Sequence, residues 1–92
     1  MSAVIHKFQM TPGCTSLAIP LNSLLLDAQN QNGCLVVWAA VDPKEEGLCK
    51  ARVVMTGEAL DNPLLKGLSY FRTVQCGLVL HLYMDDRLRR AS

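Results

Sequence analysis

The dipeptide Asn32–Gly33 constrains this chain more than any other pair of residues in it. A type I′ reversal needs positive φ at both central positions, and Asn followed by Gly meets that need at least cost. The pair stands between "LLLDAQNQ" and "CLVVWAAV". Two strands joined by this turn have one register. On one face Gln31 opposes Cys34, Gln29 opposes Val36, Asp27 opposes Trp38 and Leu25 opposes Ala40. On the other, Asn30 opposes Leu35, Ala28 opposes Val37, Leu26 opposes Ala39 and Leu24 opposes Val41. The second face is almost wholly apolar and is the predicted core face. The first turns Asp27 outward, although it lies in an apolar run, and sets Trp38 beside it. An outward tryptophan has two readings. Either the C-terminal strands or the 57–67 loop cover it and its indole N–H bonds Asp27 or a backbone carbonyl, or it anchors a partner.

The rest of the chain has the same grain: short apolar runs separated by Gly, Pro, Asn and Asp, with no sustained 3.6-residue period. "AVIHKFQ", "TSLAIP", "LCKARVVMT", "LSYFRTVQ" and "LVLHLYM" read as further strands. The stretch "GEALDNPLLKG" reads as a loop that can hold one helical turn begun by Asn62 and Pro63. The expected fold is mainly β: a small antiparallel meander curled into a barrel or a two-layer sandwich, with at most one short helical turn. Residues 1–84 form the domain and 85–92 a charged tail.

A second hairpin is predicted around Cys76–Gly77. Phe71 then opposes Leu82, Thr73 opposes Leu80 and Gln75 opposes Leu78 on the core side. Arg72 opposes His81, Tyr70 opposes Tyr83 and Val74 opposes Val79 on the outer side. Tyrosine, arginine and histidine together suit stacking and hydrogen bonding with a partner; their plain reading is a solvated strand face. In "LCKARVVMT", Cys49, Ala51, Val53 and Met55 face in, while Lys50 and Arg52 face out and discourage edge pairing. The tail "DDRLRRAS" carries Arg87, Arg89 and Arg90 beside Asp85 and Asp86. It reads as a solvated terminus, because the acidic pair dilutes any field a phosphate would feel.

Composition narrows the function classes. At 92 residues the chain is one domain with a small margin of stability. A net charge of +1 speaks against a strongly basic nucleic-acid binder, so direct nucleic-acid binding is not expected. Charged residues, at 18%, are fewer than the ~25% usual in soluble domains, which hints that some apolar surface meets a partner. No apolar stretch approaches the ~20 residues that span a bilayer, and "MSAVIHKFQM" lacks the features of a signal peptide, so the expected site is a cytoplasm. Cys14, Cys34, Cys49 and Cys76 are far apart and read as reduced thiols. With His6 and His81 they lack metal-ligand spacing, so no metal is expected. No cofactor or small-molecule substrate is expected either, since the glycines are scattered one per turn and build no phosphate loop. His81 has no signature of a nucleophile partner, and Asp85–Asp86 is not a spaced acid–base pair. The chain is therefore not expected to be an enzyme.

The segments "IHKFQM", "VVWAAVDP", "TGEALDNP" and "LSYFRTVQCGLVLHLY" resemble, in order and spacing over nearly the whole chain, a family of small proteins of tailed bacteriophages and prophages. The resemblance implies a compact β-rich fold and a phage origin, and it transfers no catalytic residues. By analogy it implies a non-enzymatic protein that binds and inhibits a host defence complex in the host cytoplasm, a protein or ribonucleoprotein of which a CRISPR effector is one example. The sequence then offers Trp38, Asp27, Tyr70, Arg72, His81 and Tyr83 as contact residues, with Lys50, Arg52, Arg87, Arg89 and Arg90 as electrostatic helpers. The alternatives are a phage structural or assembly protein that self-associates, and a small nucleic-acid-binding module.

Overall fold

Asn32 and Gly33 make the turn, with φ of 54° and 84°, and the Asn30 side chain accepts the Gly33 N–H at 2.9 Å. This is a computed structural model, and it describes residues 3–11, 13–59 and 66–91. The predicted helical turn at Asn62–Pro63 lies outside the described residues. Among the described residues eight strands follow in chain order: β1 (Val4–Gln9), β2 (Ser16–Pro20), β3 (Leu24–Gln31), β4 (Cys34–Val41), β5 (Leu48–Met55), β6 (Leu68–Cys76), β7 (Leu78–Asp85) and β8 (Arg89–Arg90). They form two four-stranded sheets, β1-β4-β3-β8 and β2-β5-β7-β6, so the fold is a small β-sandwich and not a closed barrel. β3–β4 and β6–β7 are hairpins between chain neighbours. At β1–β2, β2–β3, β4–β5 and β7–β8 the chain crosses from one sheet to the other. Every pairing is antiparallel except β3 with β8.

From Gln31 to Asp27 the β3–β4 register is the one the turn dictates. It then shifts at a bulge between Leu25 and Asp27, so Leu25 opposes Ala39, not Ala40, and Leu24 opposes Ala40, not Val41. The extra residue, Leu26, has no partner. On an unbroken strand, residues three apart lie on opposite faces. The bulge lets Leu25 and Ala28 share the inner face. Leu25 is fully buried, whereas Leu24 and Leu26, the predicted core residues, are half-buried.

The second hairpin departs from the prediction at its tip. Gly77, with φ of 74°, turns the chain alone, and Cys76 opposes Leu78. The register is therefore slipped by one from Cys76 to Arg72. Val74 opposes Leu80 and is buried, and Thr73 opposes His81 and is exposed with Gln75. Arg72 opposes Leu82. A bulge between Tyr70 and Arg72 absorbs the slip at Phe71 and restores Tyr70 opposite Tyr83. Phe71 itself is buried, as predicted. In β5, Cys49, Ala51 and Val53 are buried, but Met55, the last residue of the strand, is exposed.

The core is the layer between the sheets. Leu25, Ala28, Leu35, Val37, Ala39 and Val41 meet Leu17, Ile19, Ala51, Val53, Phe71 and Leu82 across it. The sheets close on each other where β3 faces β6. There the Arg72 guanidinium reaches Asp27 at 2.8 Å. Arg90 donates through Nη1 to the Tyr70 carbonyl at 3.2 Å and through Nη2 to the Phe71 carbonyl, while its charge lies 5.4 Å from the Phe71 ring centre. The C-terminal residues are thus not a free tail. Leu88 is buried in the core, β8 pairs with Leu24 and Leu25, and the Arg89 and Ala91 N–H groups donate to the Ser23 and Leu25 carbonyls.

Leu25→Ala should cost about 2–5 kcal/mol in urea unfolding, as a buried leucine does, and Leu26→Ala clearly less. Equal costs would contradict the bulge. Arg90→Ala should cost about 2 kcal/mol, because two carbonyls lose a charged donor; an unchanged midpoint would show that the C-terminal strand does not tie the sheets together.

Candidate functional site

The two bulges distribute the residues singled out in the sequence over two surfaces and a seam. On the outer face of sheet β1-β4-β3-β8, Trp38 stands between Lys7 of β1 and Asp27 of β3, half-buried by its row neighbours. Its indole does not hold Asp27: that carboxylate accepts the Ala28 N–H at 2.8 Å and the Gln29 side-chain amide at 3.0 Å, and pairs with Arg72. Lys7 reaches past Trp38 to the Gln31 side chain at 2.8 Å.

Arg72 belongs to the seam between the sheets, not to the face of Tyr70 and His81. Asp27 there titrates below the ordinary aspartate range. Burial alone would raise it, but the hydrogen bonds from Ala28 and Gln29 and the Arg72 charge outweigh that effect. The tail arginines are also engaged. Arg87 donates to Asp85 from its backbone N–H and from its guanidinium, at 2.8 to 3.0 Å, and this fork holds the Asp85 carboxyl low. Arg89 Nε donates to the Asn22 carbonyl at 3.1 Å. Arg87, Arg89 and Arg90 therefore act first as internal clamps.

The outer face of sheet β2-β5-β7-β6 carries the connected constellation. Tyr70 and Tyr83 meet edge to face, with centroids 5.9 Å apart. The Tyr70 hydroxyl bonds Thr73 Oγ1 at 2.8 Å, Thr73 Oγ1 bonds His81 Nδ1 at 3.0 Å, and His81 Nε2 bonds Thr56 Oγ1 at 2.7 Å. Both ring nitrogens of His81 are thus held by hydroxyls, which fixes the ring. Beside it, His81 and Tyr83 line a shallow hollow of about 260 Å³ with Thr56 and Glu58. Sequence reasoning found Tyr70, His81 and Tyr83 but missed Thr73 and Thr56. Thr73 was read as inward because the slip at Gly77 and the bulge at Phe71 leave no mark in the pattern of residue types.

Two further groupings come only from the fold. Cys14, Cys34 and Cys76, distant in sequence, line one cavity of about 320 Å³ with Met10, Leu35 and Leu80, and the Cys76 thiol donates to the Gly33 carbonyl at 3.0 Å. All four thiols are free, and burial pushes the Cys49 thiol above its ordinary range. Among the described residues no group of three or more His, Cys, Asp or Glu is placed to hold a metal ion. Lys50 and Arg52 line a cleft with Lys66, Thr15 and Ser16 at the other end of the sheet from the Thr56 hollow.

Residues 1–91 match a family described as a domain of unknown function (DUF7352), and the chain belongs to that family. Neither the curated proteins nor the solved structures give a match.

Folding stability should fall as pH drops from neutral through and below the ordinary aspartate range. Asp27 and Asp85 are depressed in the folded state, so their contribution is present above the unfolded-state pKa and is lost as the carboxylates protonate. The Asp27–Arg72 pair is more than a third exposed at both ends. Its share is therefore screened to about 0.5 kcal/mol. Asp27→Asn should flatten the acid limb of a stability–pH curve by that order. A curve parallel to wild type would show that the ion pair does not couple the sheets.

Proposed function

We propose that this protein is a stoichiometric binding protein that docks on a host complex through the outer face of β6 and β7. Tyr70 and Tyr83 are the anchors, and Thr73 and His81 the hydrogen-bonding ground beneath them. The observation that carries this reading is the fixed, solvent-facing aromatic pair: Tyr70 is 47% exposed, yet its ring is braced by Tyr83 and its hydroxyl by Thr73. A side chain already held in one conformation loses little entropy on binding, and such aromatics concentrate affinity at interfaces. The resemblance to small phage proteins supplies the setting: inhibition of a host defence complex, a CRISPR effector being one such target, in the host cytoplasm. Among the described residues no helix is long and apolar enough to cross a membrane. Trp38 with Lys7 forms a secondary contact on the opposite sheet.

The exposed edge strand β1 favours a second reading, a self-associating part of the phage particle. Val4 and Ile5 are 42% and 64% exposed on that edge. Mass spectrometry of purified virions separates the readings, since a particle component occurs there in many copies and an inhibitor does not.

In affinity capture from host lysate, wild-type protein should recover a host complex in stoichiometric amount. The Tyr70→Ala/Tyr83→Ala variant should bind it about 30-fold more weakly or worse, the equivalent of about 2 kcal/mol. Recovery of no host protein in stoichiometric amount, together with no protection of phage in plaque assays, would overturn the reading.

A further inference from the structure

The cleft where the start of β2, the middle of β5 and the entrance to β6 converge holds positive charge that the fold does not use. It measures about 390 Å³ and is lined by Thr15, Ser16, Lys50, Arg52, Lys66, Leu68 and Asp85. Three of these residues are cations, in a chain whose net charge is only +1. The one acid in the wall among the described residues, Asp85, is committed to the Arg87 fork at 2.8 Å. Lys50, Arg52 and Lys66 form no ion pair with any described residue. The Arg52 Nε is covered from solvent and has no hydrogen-bond partner among the described residues. Like charges gathered in a concave site whose acid is already paired repel one another and focus a field that attracts anions.

The backbone fixes this arrangement. Lys50 and Arg52 are alternate residues of β5 and share its outer face. Ser16 of β2 lies directly opposite Arg52, and Ala18 opposite Lys50, which leaves room above the small side chain. Lys66 enters from the turn before β6. Two hydroxyl-bearing residues, two lysines and an arginine therefore line one hollow, a set whose side chains can match the oxygens of a phosphate group. The volume lies within the range of small-molecule sites and exceeds what a single orthophosphate fills.

We infer that this cleft binds a small phosphate-bearing anion, with Lys50, Arg52 and Lys66 neutralising its oxygens and Thr15 and Ser16 donating to them. The site adjoins the Tyr70–Tyr83 docking face, since Arg52 lies directly opposite Tyr83, but its ligand and its test are independent of docking. The test is a titration of isotopically labelled full-length protein, followed by amide chemical shifts at neutral pH and fixed ionic strength. The probes are inorganic pyrophosphate, a nucleoside diphosphate and, as control, chloride. Saturable shifts confined to Ser16, Lys50, Arg52, Lys66 and their neighbours are expected with the first two and not with chloride. Lys50→Gln/Lys66→Gln, at two exposed positions, should keep the folded spectrum and weaken binding about tenfold or more. Lys44→Gln, in the β4–β5 turn, should change nothing. Equal affinity for both probes identifies the phosphates as what is read, and tighter binding of the nucleoside diphosphate identifies a nucleotide. Absence of saturable shifts with either probe, a response no greater than that to chloride, or an unchanged response in the double variant would overturn the assignment.

Discussion

The fold and its principal face both depend on one extra residue in β6. Phe71 has no partner in β7. Its ring is 1% exposed and lies between the Arg72 and Arg90 guanidinium groups, with centroid distances of 5.5 and 5.4 Å. A bulge bends and twists its strand. Here it buries the ring and turns Arg72 toward Asp27 of the other sheet. The same extra residue puts Tyr70 and Thr73, three apart in sequence, on one face, where their hydroxyls meet at 2.8 Å. Without it, alternation would send one of the two inward. The seam between the sheets and the hydrogen-bonded outer face are thus two consequences of one local insertion.

The bulge in β3 complements it. By letting Leu25 join Ala28 on the inner face, it keeps the core layer continuous up to the point where β8 pairs with Leu24 and Leu25. β8 exists because Leu88 is buried and the Asn22, Ser23 and Leu25 backbone groups accept the returning chain. The arginines that look in sequence like a basic tail are spent on these contacts. Charge available to a ligand lies elsewhere, in the cleft of Lys50, Arg52 and Lys66. The outer surface of β2-β5-β7-β6 then divides into an aromatic, hydrogen-bonding end and a cationic end. Arg52, directly opposite Tyr83, sits between them.

Much of this was legible in the residues. Asn32–Gly33 gives the first turn and the register as far as Asp27, because both backbone positions demand positive φ. Alternation in "LCKARVVMT" gives the buried row Cys49, Ala51, Val53 and the outward Lys50 and Arg52. Tyr70 opposite Tyr83 was also readable, although the intervening register was not. Thr73 opposite His81 escaped, as did the burial of Leu25 in place of Leu24 and Leu26. Lys66 and the convergence of Cys14, Cys34 and Cys76 escaped too. Nothing in "LSYFRTVQ" marks Phe71 as the residue without a partner, because a bulge is placed by what the strand packs against and not by its own side chains.

The sequence by itself determined that the chain is mainly β, where the Asn32–Gly33 turn falls, and which side of β4 and β5 faces the core. These follow from backbone sterics and two-residue alternation, which act within a few residues. Tertiary structure alone decided where alternation is broken, that Arg90 returns to the bulge of β6, and which polar side chains share a surface. Those outcomes depend on burying Phe71, Leu25 and Leu88 in one layer between two sheets, and that requirement is met only when distant strands are in place together.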